Sequence, residues 1–215
     1  MQMFLSQENL DVYVGKSIEV LRVGGVVLYP TDTLYALGAD AFSDEAVAKV
    51  FAIKGRGKRK SISAVFSDMA MVERYAKVND AAKRLAEKFL PGPLTLVLKK
   101  KAGIKTGIAR DRGTIGIRIP NHPFCLALAK EFGKPITATS ANISGEETKN
   151  SVDEILKQLG SAAEHIDLAI DAGELPPSLP STVVDCSGAE PKILREGVLS
   201  KQQIADAIAP WDGEI

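Results

Sequence analysis

The sequence predicts an α/β protein, and three observations support this fold class. Short apolar runs alternate with amphipathic stretches along the 215 residues, which is the pattern of strands and helices that follow one another. Apolar residues make up 45% of the chain and charged residues 25%, the balance of a soluble globular protein. The length suits one large core better than two small ones, so we expect a single domain over residues 1–215.

Helices and strands alternate in the first half of the chain. A helix is predicted from Asn9 to Arg22, and a buried strand follows at 26–29 and is closed by a proline. Ser43 is a predicted N-cap, because acidic residues follow it in the first turn, where the helix dipole favours them. A strand at 61–66 and a helix at 80–90 complete this half, the helix showing apolar residues at helical spacing.

The second half continues the alternation. Strands are predicted at 94–98, 114–119, 134–139, 168–170, 182–186 and 192–194. One helix covers 124–132, and two more begin at the capping boxes Ser151/Glu154 and Ser200/Gln203. We therefore expect a mixed open sheet of about seven strands with flanking helices, although the alternation alone does not fix the strand order.

The charge of the chain is balanced, with 27 basic and 27 acidic side chains, so no global field attracts nucleic acid. One local run, 54–60, carries five positive charges and no negative one. Cys125 and Cys186 lie far apart without a CxxC spacing, which argues against a disulfide scaffold. The N-terminus lacks a signal pattern and no apolar run reaches about 20 residues, so we expect a cytoplasmic protein without membrane contact.

The common nucleotide and metal motifs are absent. Gly15-Lys16-Ser17 ends like a Walker A motif, but Leu10 stands where its first glycine belongs. Gly55 and Gly57 begin like a dinucleotide fingerprint, but Lys60 occupies the third glycine position. Two histidines cannot build a His-rich metal site. A nucleotide would therefore be bound without these motifs, and the protein is expected to supply no metal site of its own.

Polar segments follow several predicted strands, at the positions where α/β sheets usually bind ligands. The hydroxyls of Pro30–Gly38 either bind an amino-acid ligand or cap a turn. The run 54–60 is either a solvated face after a helix or a polyphosphate clamp. In the clamp, Lys54 would act as a point charge and Arg56 as a bidentate fork.

Two later strands also carry candidate groups. Strand alternation places Thr114, Gly116 and Arg118 on one face, so Arg118 is either exposed to solvent or directed into a site. The segment 137–145 crowds small hydroxyl and amide side chains at the end of a strand. These groups either close the sheet or offer a ligand a dense set of donors.

Seven segments, taken in order, resemble a known family. They read PTDTLYALGADA, KGR, PGPLTLVL, GIRIPNHP, ATSANISG, PSTVVD and ILREG, and they lie between Val26 and Gly197. One such segment would be a weak signal, but the ordered set resembles the YrdC/Sua5 family of threonylcarbamoyl-AMP synthases. The length is similar to that of the single-domain members, without the extra C-terminal domain of the longer Sua5 proteins.

The resemblance implies a twisted open sheet around a large concave cavity. ATP, L-threonine and bicarbonate would bind there, with Mg²⁺ on the phosphates, to form threonylcarbamoyl-AMP and pyrophosphate. This nucleotidyl transfer would serve t6A37 modification of tRNA through downstream threonylcarbamoyl transferase proteins. The resemblance implies contacts with threonine or bicarbonate for Thr33, Arg118, Ser140 and Ser181. It implies nucleotide contacts for Lys54, Arg56, Thr114, Asn142 and Arg195, with Lys54 and Arg56 also catalytic.

The sequence departs from the family pattern after KGR, where the family usually has a proline, then Asn-Pro-Leu, then a histidine. Here Gly57 replaces the proline, Lys60-Ser61-Ile62 replaces Asn-Pro-Leu, and Val65 stands at the histidine's position. The resemblance therefore does not carry over a nucleotide contact to Lys60 or a threonine contact to Val65. An altered activity stays open as an alternative.

The residue types suit a reaction without a covalent protein intermediate. In this hypothesis, the threonine amine attacks bicarbonate or CO₂ to give a carbamate, whose oxygen attacks the α-phosphate in line and expels pyrophosphate. Lys54, Arg56 and Arg195 would neutralise charge together with Mg²⁺. Alanine at Lys54 or Arg56 is therefore expected to lower turnover by about two or three decades while leaving the fold intact.

The competing hypothesis is an RNA-binding module that places the run 54–60 on phosphates. The zero net charge and the 6% aromatic content argue against a dedicated RNA binder, which normally has a broader basic face or stacking residues. Salt-sensitive RNA binding without ATP turnover would favour this alternative.

Overall fold

One mixed sheet organises the computed structural model, which describes residues 1–6, 9–55 and 61–209. The eleven strands of these residues are β1 (Gln2–Phe4), β2 (Val27–Tyr29), β3 (Ala36–Gly38), β4 (Ser63–Val65), β5 (Ala76–Lys77), β6 (Leu94–Lys100), β7 (Thr114–Arg118), β8 (Ile136–Ser140), β9 (Leu168–Asp171), β10 (Thr182–Asp185) and β11 (Lys192–Arg195). Their order across the sheet is β1-β9-β2-β3-β8-β4-β7-β6-β10-β11, with β5 paired to β6. Parallel pairs such as β4/β7 and β6/β10 alternate with antiparallel pairs such as β8/β4 and β6/β7, so the predicted mixed sheet is confirmed.

Seven α-helices flank this sheet within the described residues. They are α1 (Leu10–Arg22), α2 (Asp44–Ile53), α3 (Met69–Tyr75), α4 (Asp80–Phe89), α5 (Pro123–Phe132), α6 (Val152–Leu159) and α7 (Lys201–Ile208). Short 3₁₀ turns lie at Gly107–Ala109 and Gly160–His165. In the part of the chain that the structure describes, no helix combines the length and the apolar character needed to cross a bilayer.

The strands predicted from the sequence are all present, and three more were missed. β1 and β5 are only three and two residues long, too short to show periodicity. β3 lies in the segment interpreted as polar, yet it pairs with β2 and β8. The estimate of about seven strands was therefore low, because these short strands form by pairing with neighbours and not by their own pattern.

The predicted caps are largely confirmed. Ser43 and Ser200 accept hydrogen bonds from the backbone N–H groups three residues on, and Ser200 with Gln203 forms a complete capping box. Ser151 also caps its helix, but its hydroxyl donates to the Glu154 carboxylate over 3.1 Å. Of the two hydrogen bonds of the predicted capping box, the described residues thus show the one from the Glu154 N–H to the Ser151 hydroxyl.

The two faces of the sheet are covered differently. Helices α2, α4, α6 and α7 contribute to an apolar cluster on one face, together with the apolar side chains of β6 and β7. Helices α1 and α5 pack on the other face, against one end of the sheet. Side chains of β4, β6, β7 and β10 beyond those two helices line a cavity. The helix arrangement therefore leaves the middle of one sheet face available for a ligand.

Candidate functional site

The cavity on the uncovered sheet face has a volume of about 240 Å³. Six residues predicted from the sequence line it: Thr33, Thr114, Arg118, Ser140, Ser181 and Arg195. They come from strands or strand ends that are neighbours in the sheet although they are distant in the chain. The structure therefore brings most of the predicted site residues to one place, while their individual roles remain predictions.

Strand β7 forms the floor of the cavity. Thr114, Gly116 and Arg118 line it together with Ile115, while Ile117 is fully buried in the core. The predicted alternation is thus confirmed, and the solvent-exposed alternative for Arg118 is wrong because this side chain is buried.

Gly116 leaves space in the cavity above β7 because it has no side chain. A Cβ atom at Gly116 would lie 3.0 Å from the Cβ of Ser63 on the adjacent strand β4. Any larger side chain would therefore press on β4 and project into the cavity. The glycine creates room between two strands that approach closely.

The segment between β2 and β3 is a tight turn built around one hydroxyl. Thr31 Oγ1 accepts hydrogen bonds from the backbone N–H groups of Thr33 and Leu34 and donates to Leu34 O over 2.7 Å. Thr33 lines the cavity, and its Oγ1 accepts a 3.2 Å hydrogen bond from Arg118 Nη1. The turn interpretation is therefore confirmed for Thr31, while Thr33 lies at the cavity wall and its contact with an amino-acid ligand stays a prediction.

Arg118 is paired inside the protein. Its Nη2 donates to Asp32 Oδ1 over 2.5 Å, and the two side chains are only 8% and 9% exposed. Its Nε is buried and has no hydrogen-bond partner within the described residues. Arg118 also lines the cavity and has more N–H donors than Asp32 and Thr33 use, so it can bind a further acceptor there.

A second arginine, Arg195, lies on the edge strand β11 at the rim of the same cavity. Its Nε and Nη2 donate to Ser181 O over 3.2 and 2.8 Å. The hydroxyls of Ser181 and Thr95 are hydrogen bonded at 2.8 Å. Partial burial, followed by the positive charge of Arg118, lowers the pKa of Arg195. The two arginines therefore repel each other across the cavity, which favours an anion between them.

Lys54, predicted to contact a phosphate, makes hydrogen bonds within the protein. Its side chain is 2% exposed, and it is not one of the residues that line the cavity. Its ammonium donates to Ser140 O, Asn142 O and Asn142 Oδ1 over 2.5, 2.9 and 2.8 Å. Lys54 therefore supports the loop after β8, and its contact with a nucleotide phosphate stays a prediction.

The loop after β8 is built around Asn142, which is buried below the cavity wall. Asn142 Oδ1 also accepts from the Ser140 hydroxyl over 2.7 Å, and its Nδ2 donates to Glu146 O over 2.6 Å. Ser140 lines the cavity, whereas Asn142 does not. Asn142 therefore supports this loop, and its predicted contact with the nucleotide stays a prediction.

Some predicted positions lie outside the described residues. These are Arg56, Gly57 and Lys60, so the structure gives no account of the run 54–60 beyond its first two residues. Val65 is described: it is buried in β4 and packs against α5 in the apolar cluster on that face. Val65 thus has a core position and does not line the cavity.

Several residues that shape the site could not be identified from the sequence. Asp32 and Thr95 stand inside the quoted motifs, but nothing in their local pattern indicated that they would be buried against Arg118 and Ser181. No sequence motif indicated a role for Arg112 in ligand binding, yet this residue lines the cavity. It also lines a second cavity of about 350 Å³ between α2 and the turn that follows Gly107.

Comparison with known protein families gives a match over most of the chain. The family described as Sua5_yciO_yrdC, telomere recombination, matches residues 19–197. A Methanocaldococcus jannaschii protein provisionally named a threonylcarbamoyl-AMP synthase is 44% identical over 187 residues, which are 87% of this chain and 86% of that protein. The threonylcarbamoyl-AMP synthase of Bacillus subtilis is 34% identical over 93% of this chain and 58% of its own length.

A solved structure shares the fold as well. Sua5 from Pyrococcus abyssi, complexed with L-threonine, superposes with a TM-score of 0.87 and 32% sequence identity. The match covers 97% of this chain and 60% of the Sua5 chain. This chain thus spans about three fifths of those two longer proteins, and the matched residues 19–197 include every cavity residue described above.

Proposed function

The chain belongs to the Sua5/YciO/YrdC family, and on that premise we propose that it is a threonylcarbamoyl-AMP synthase. One observation carries the proposal: two arginines, Arg118 and Arg195, face a single cavity lined by hydroxyl groups. Such a cavity attracts anions, and both the carboxylate of an amino acid and the phosphates of ATP are anions that guanidinium groups bind well.

The threonine subsite is proposed at the closed end of the cavity, beside Arg118 and Thr33. The Arg118 guanidinium would bind the threonine carboxylate, and the hydroxyl of Ser181, just before β10, also lines the cavity as a partner for polar groups. The threonine complex of the P. abyssi relative supports this assignment, since the two chains share the fold. Bicarbonate would enter beside the threonine amine, near Ser140.

The nucleotide is proposed to lie toward the open rim, with Arg195 and Thr114 on its phosphates. The described lining residues of the cavity comprise hydroxyl groups and arginines but no carboxylate. This lining suits a Mg²⁺ that enters on the phosphates of ATP and keeps water ligands, because Mg²⁺ is commonly bound through substrate phosphates. Mg²⁺ would then offset part of the phosphate charge.

The proposed reaction is a nucleotidyl transfer. The threonine amine forms a carbamate with bicarbonate, with loss of water, and a carbamate oxygen attacks the α-phosphate while pyrophosphate leaves. Arg118 would orient the amino acid, and Arg195 would stabilise the charge that develops on the phosphates. The product would serve tRNA modification through a downstream threonylcarbamoyl transferase, in the cytoplasm.

RNA binding remains a separate prediction that no observation in the described residues favours. It rests on the run 54–60, of which Lys54 is buried in the loop support and Arg56 onward lies outside the described residues. The synthase is therefore the function that we propose.

Pyrophosphate release tests this proposal. Purified protein is incubated with ATP, Mg²⁺, L-threonine and bicarbonate, and the adenylate is identified by mass spectrometry. We expect release that requires both threonine and bicarbonate, with L-serine a poor substitute. ATP hydrolysis that is indifferent to threonine, or salt-sensitive RNA binding without any release, would contradict the proposal.

A further inference from the structure

The carboxylate of Asp32 lies against the arginine that would bind a substrate carboxylate. Asp32 Oδ1 accepts from Arg118 Nη2 over 2.5 Å, and both side chains are almost fully buried. Two carboxylates would then share one guanidinium. Asp32 must therefore either leave when the substrate binds or remain in place and act together with it.

The surroundings of Asp32 hold it in place. Its second oxygen, Oδ2, accepts from the backbone N–H of Asn121 over 3.1 Å, so each oxygen has its own donor. The turn that carries Asp32 is closed by the hydroxyl of Thr31, which makes three hydrogen bonds to the backbone of Thr33 and Leu34. A carboxylate anchored through both oxygens on a tight turn is suited to a fixed position.

Arg118 retains donors for a second acceptor. A guanidinium carries five N–H donors, and here Nη2 contacts Asp32 while Nη1 contacts Thr33. Nε has no partner within the described ranges although it is buried, and Arg118 forms part of the cavity wall. Because Arg118 lines the cavity and Asp32 and Thr33 use only two of its five N–H donors, the guanidinium can bind a second acceptor without releasing Asp32.

We propose that Asp32 is a positioning residue that stays bound to Arg118 during the reaction and orients its guanidinium toward the carboxylate of the amino-acid substrate. This inference rests on the proposed function. Asp32 also supplies a negative charge beside Arg118, which reduces the repulsion between Arg118 and Arg195 across the cavity. Its effect is exerted through Arg118 and is specific to the amino-acid end of the site.

Binding of L-threonine, measured by titration calorimetry, tests this inference with Asp32→Asn and Asp32→Ala. Asp32→Asn keeps the size of the side chain and removes its charge. We expect the dissociation constant for L-threonine to rise roughly tenfold in Asp32→Asn and roughly a hundredfold in Asp32→Ala. The KM for threonine should rise in parallel, while kcat and the KM for ATP change far less, a separation that general loss of structure would not produce.

Asp40→Asn is the matched control. Asp40 is also a largely buried aspartate in an ion pair, since its side chain is 12% exposed and it accepts from Lys134 Nζ over 3.0 Å, but it does not line the cavity. Threonine affinity in this variant should equal that of the wild type. Thermal unfolding of each variant identifies any that fail to fold, and Asp32→Asn carries the test if Asp32→Ala is one of them.

The outcomes separate this inference from the proposed function. If the wild type neither binds nor uses L-threonine, both fail. If the wild type is active and Asp32→Asn binds threonine as tightly as the wild type or more tightly, only the inference is overturned. Tighter binding would mean that Asp32 competes with the substrate carboxylate and leaves.

Discussion

Three cations that look alike in the sequence have different surroundings in the structure. Lys54 has oxygen acceptors for its ammonium within the loop after β8. Arg118 has an internal partner in Asp32 but keeps a buried donor on Nε, and Arg195 stands at the rim. The residue type alone therefore does not distinguish support of a loop from contact with a ligand, whereas the set of neighbouring acceptors does.

Replacing Lys54 by methionine tests its supporting role. The change keeps an unbranched side chain of similar length but removes the ammonium from which three oxygens of Ser140 and Asn142 accept hydrogen bonds. We expect the free energy of unfolding to fall by about 3 kcal/mol, measured by urea denaturation. This result would replace the expectation from sequence that Lys54 variants keep an intact fold.

Lys49→Met is the control for that experiment. Lys49 is exposed on α2, which Lys54 ends, and among the described residues its ammonium donates to Gly24 O alone, so its loss should cost less than about 0.5 kcal/mol. Equal stability of the two variants would show that the loop does not depend on Lys54.

Arg195→Gln tests the cation at the rim. The change removes the charge proposed to face the phosphates, and turnover should fall about a hundredfold, because one positioned donor is worth roughly 2–4 kcal/mol in a transition state. Arg74→Gln, at an exposed site away from the cavity, should retain full turnover in the pyrophosphate assay. A folded Arg195→Gln protein with normal turnover would remove Arg195 from the site.

Among the elements, the corner that joins β10 to the segment after β11 holds Ser181 in place. The hydroxyl of Thr182 accepts from the backbone N–H groups of Gly197 and Leu199 and donates to Leu199 O over 2.6 Å. The backbone of Val198 donates to Pro180 O. Two segments of backbone thus lie in contact beside the cavity, and the contact leaves no room for a side chain at Gly197.

Gly197→Ala should disrupt this corner. The added Cβ would lie 2.0 Å from Pro180 O, so one of the two segments must move. We expect a loss of about 1–3 kcal/mol in unfolding free energy, with lower threonine affinity because Ser181 moves as well. Gly188→Ala is the matched change, since its nearest atom would be 3.9 Å away. If both variants unfold at the same urea concentration, the corner is more adaptable than the structure indicates.

The sequence predicted long elements well and short ones poorly. β6, β7 and α4 have enough residues to show their period, so their positions could be predicted. β3 has three residues and depends on pairing with β2 and β8, which a local pattern does not reveal. The same limit applied to the site: alternation placed Arg118 on the correct face, but only the strand order determines that this face meets a cavity.

For the whole molecule, stability should depend on pH near neutrality through His122. Burial lowers the pKa of His122 from its usual 6.5, against a smaller opposite effect of Asp32, and its Nδ1 has no hydrogen-bond partner in the described part of the chain. The unfolded chain then takes up a proton at a higher pH than the folded protein does. The contribution of His122 to the unfolding free energy is therefore fully present above about pH 6.5. It is lost as the pH is lowered toward the depressed pKa.

Urea denaturation at pH 7.5 and pH 5.5 measures this effect. The wild type should lose more unfolding free energy between the two values than His122→Gln, in which the titrating group is absent. His165, which both proteins share, cancels in the comparison. Identical losses in the two proteins would show that His122 does not contribute.

The cavity takes its walls from neighbouring strands whose residues run from Thr31 to Arg195 along the chain. No short stretch of polypeptide contains enough of these walls to hold a ligand, so the site exists only when the central sheet is complete. Ligand affinity and cooperative unfolding are then thermodynamically linked. A ligand at a hundred times its dissociation constant would add about 2.7 kcal/mol to the stability of the entire sheet. A shift of the thermal midpoint with threonine and ATP would thus report on strands far from either molecule.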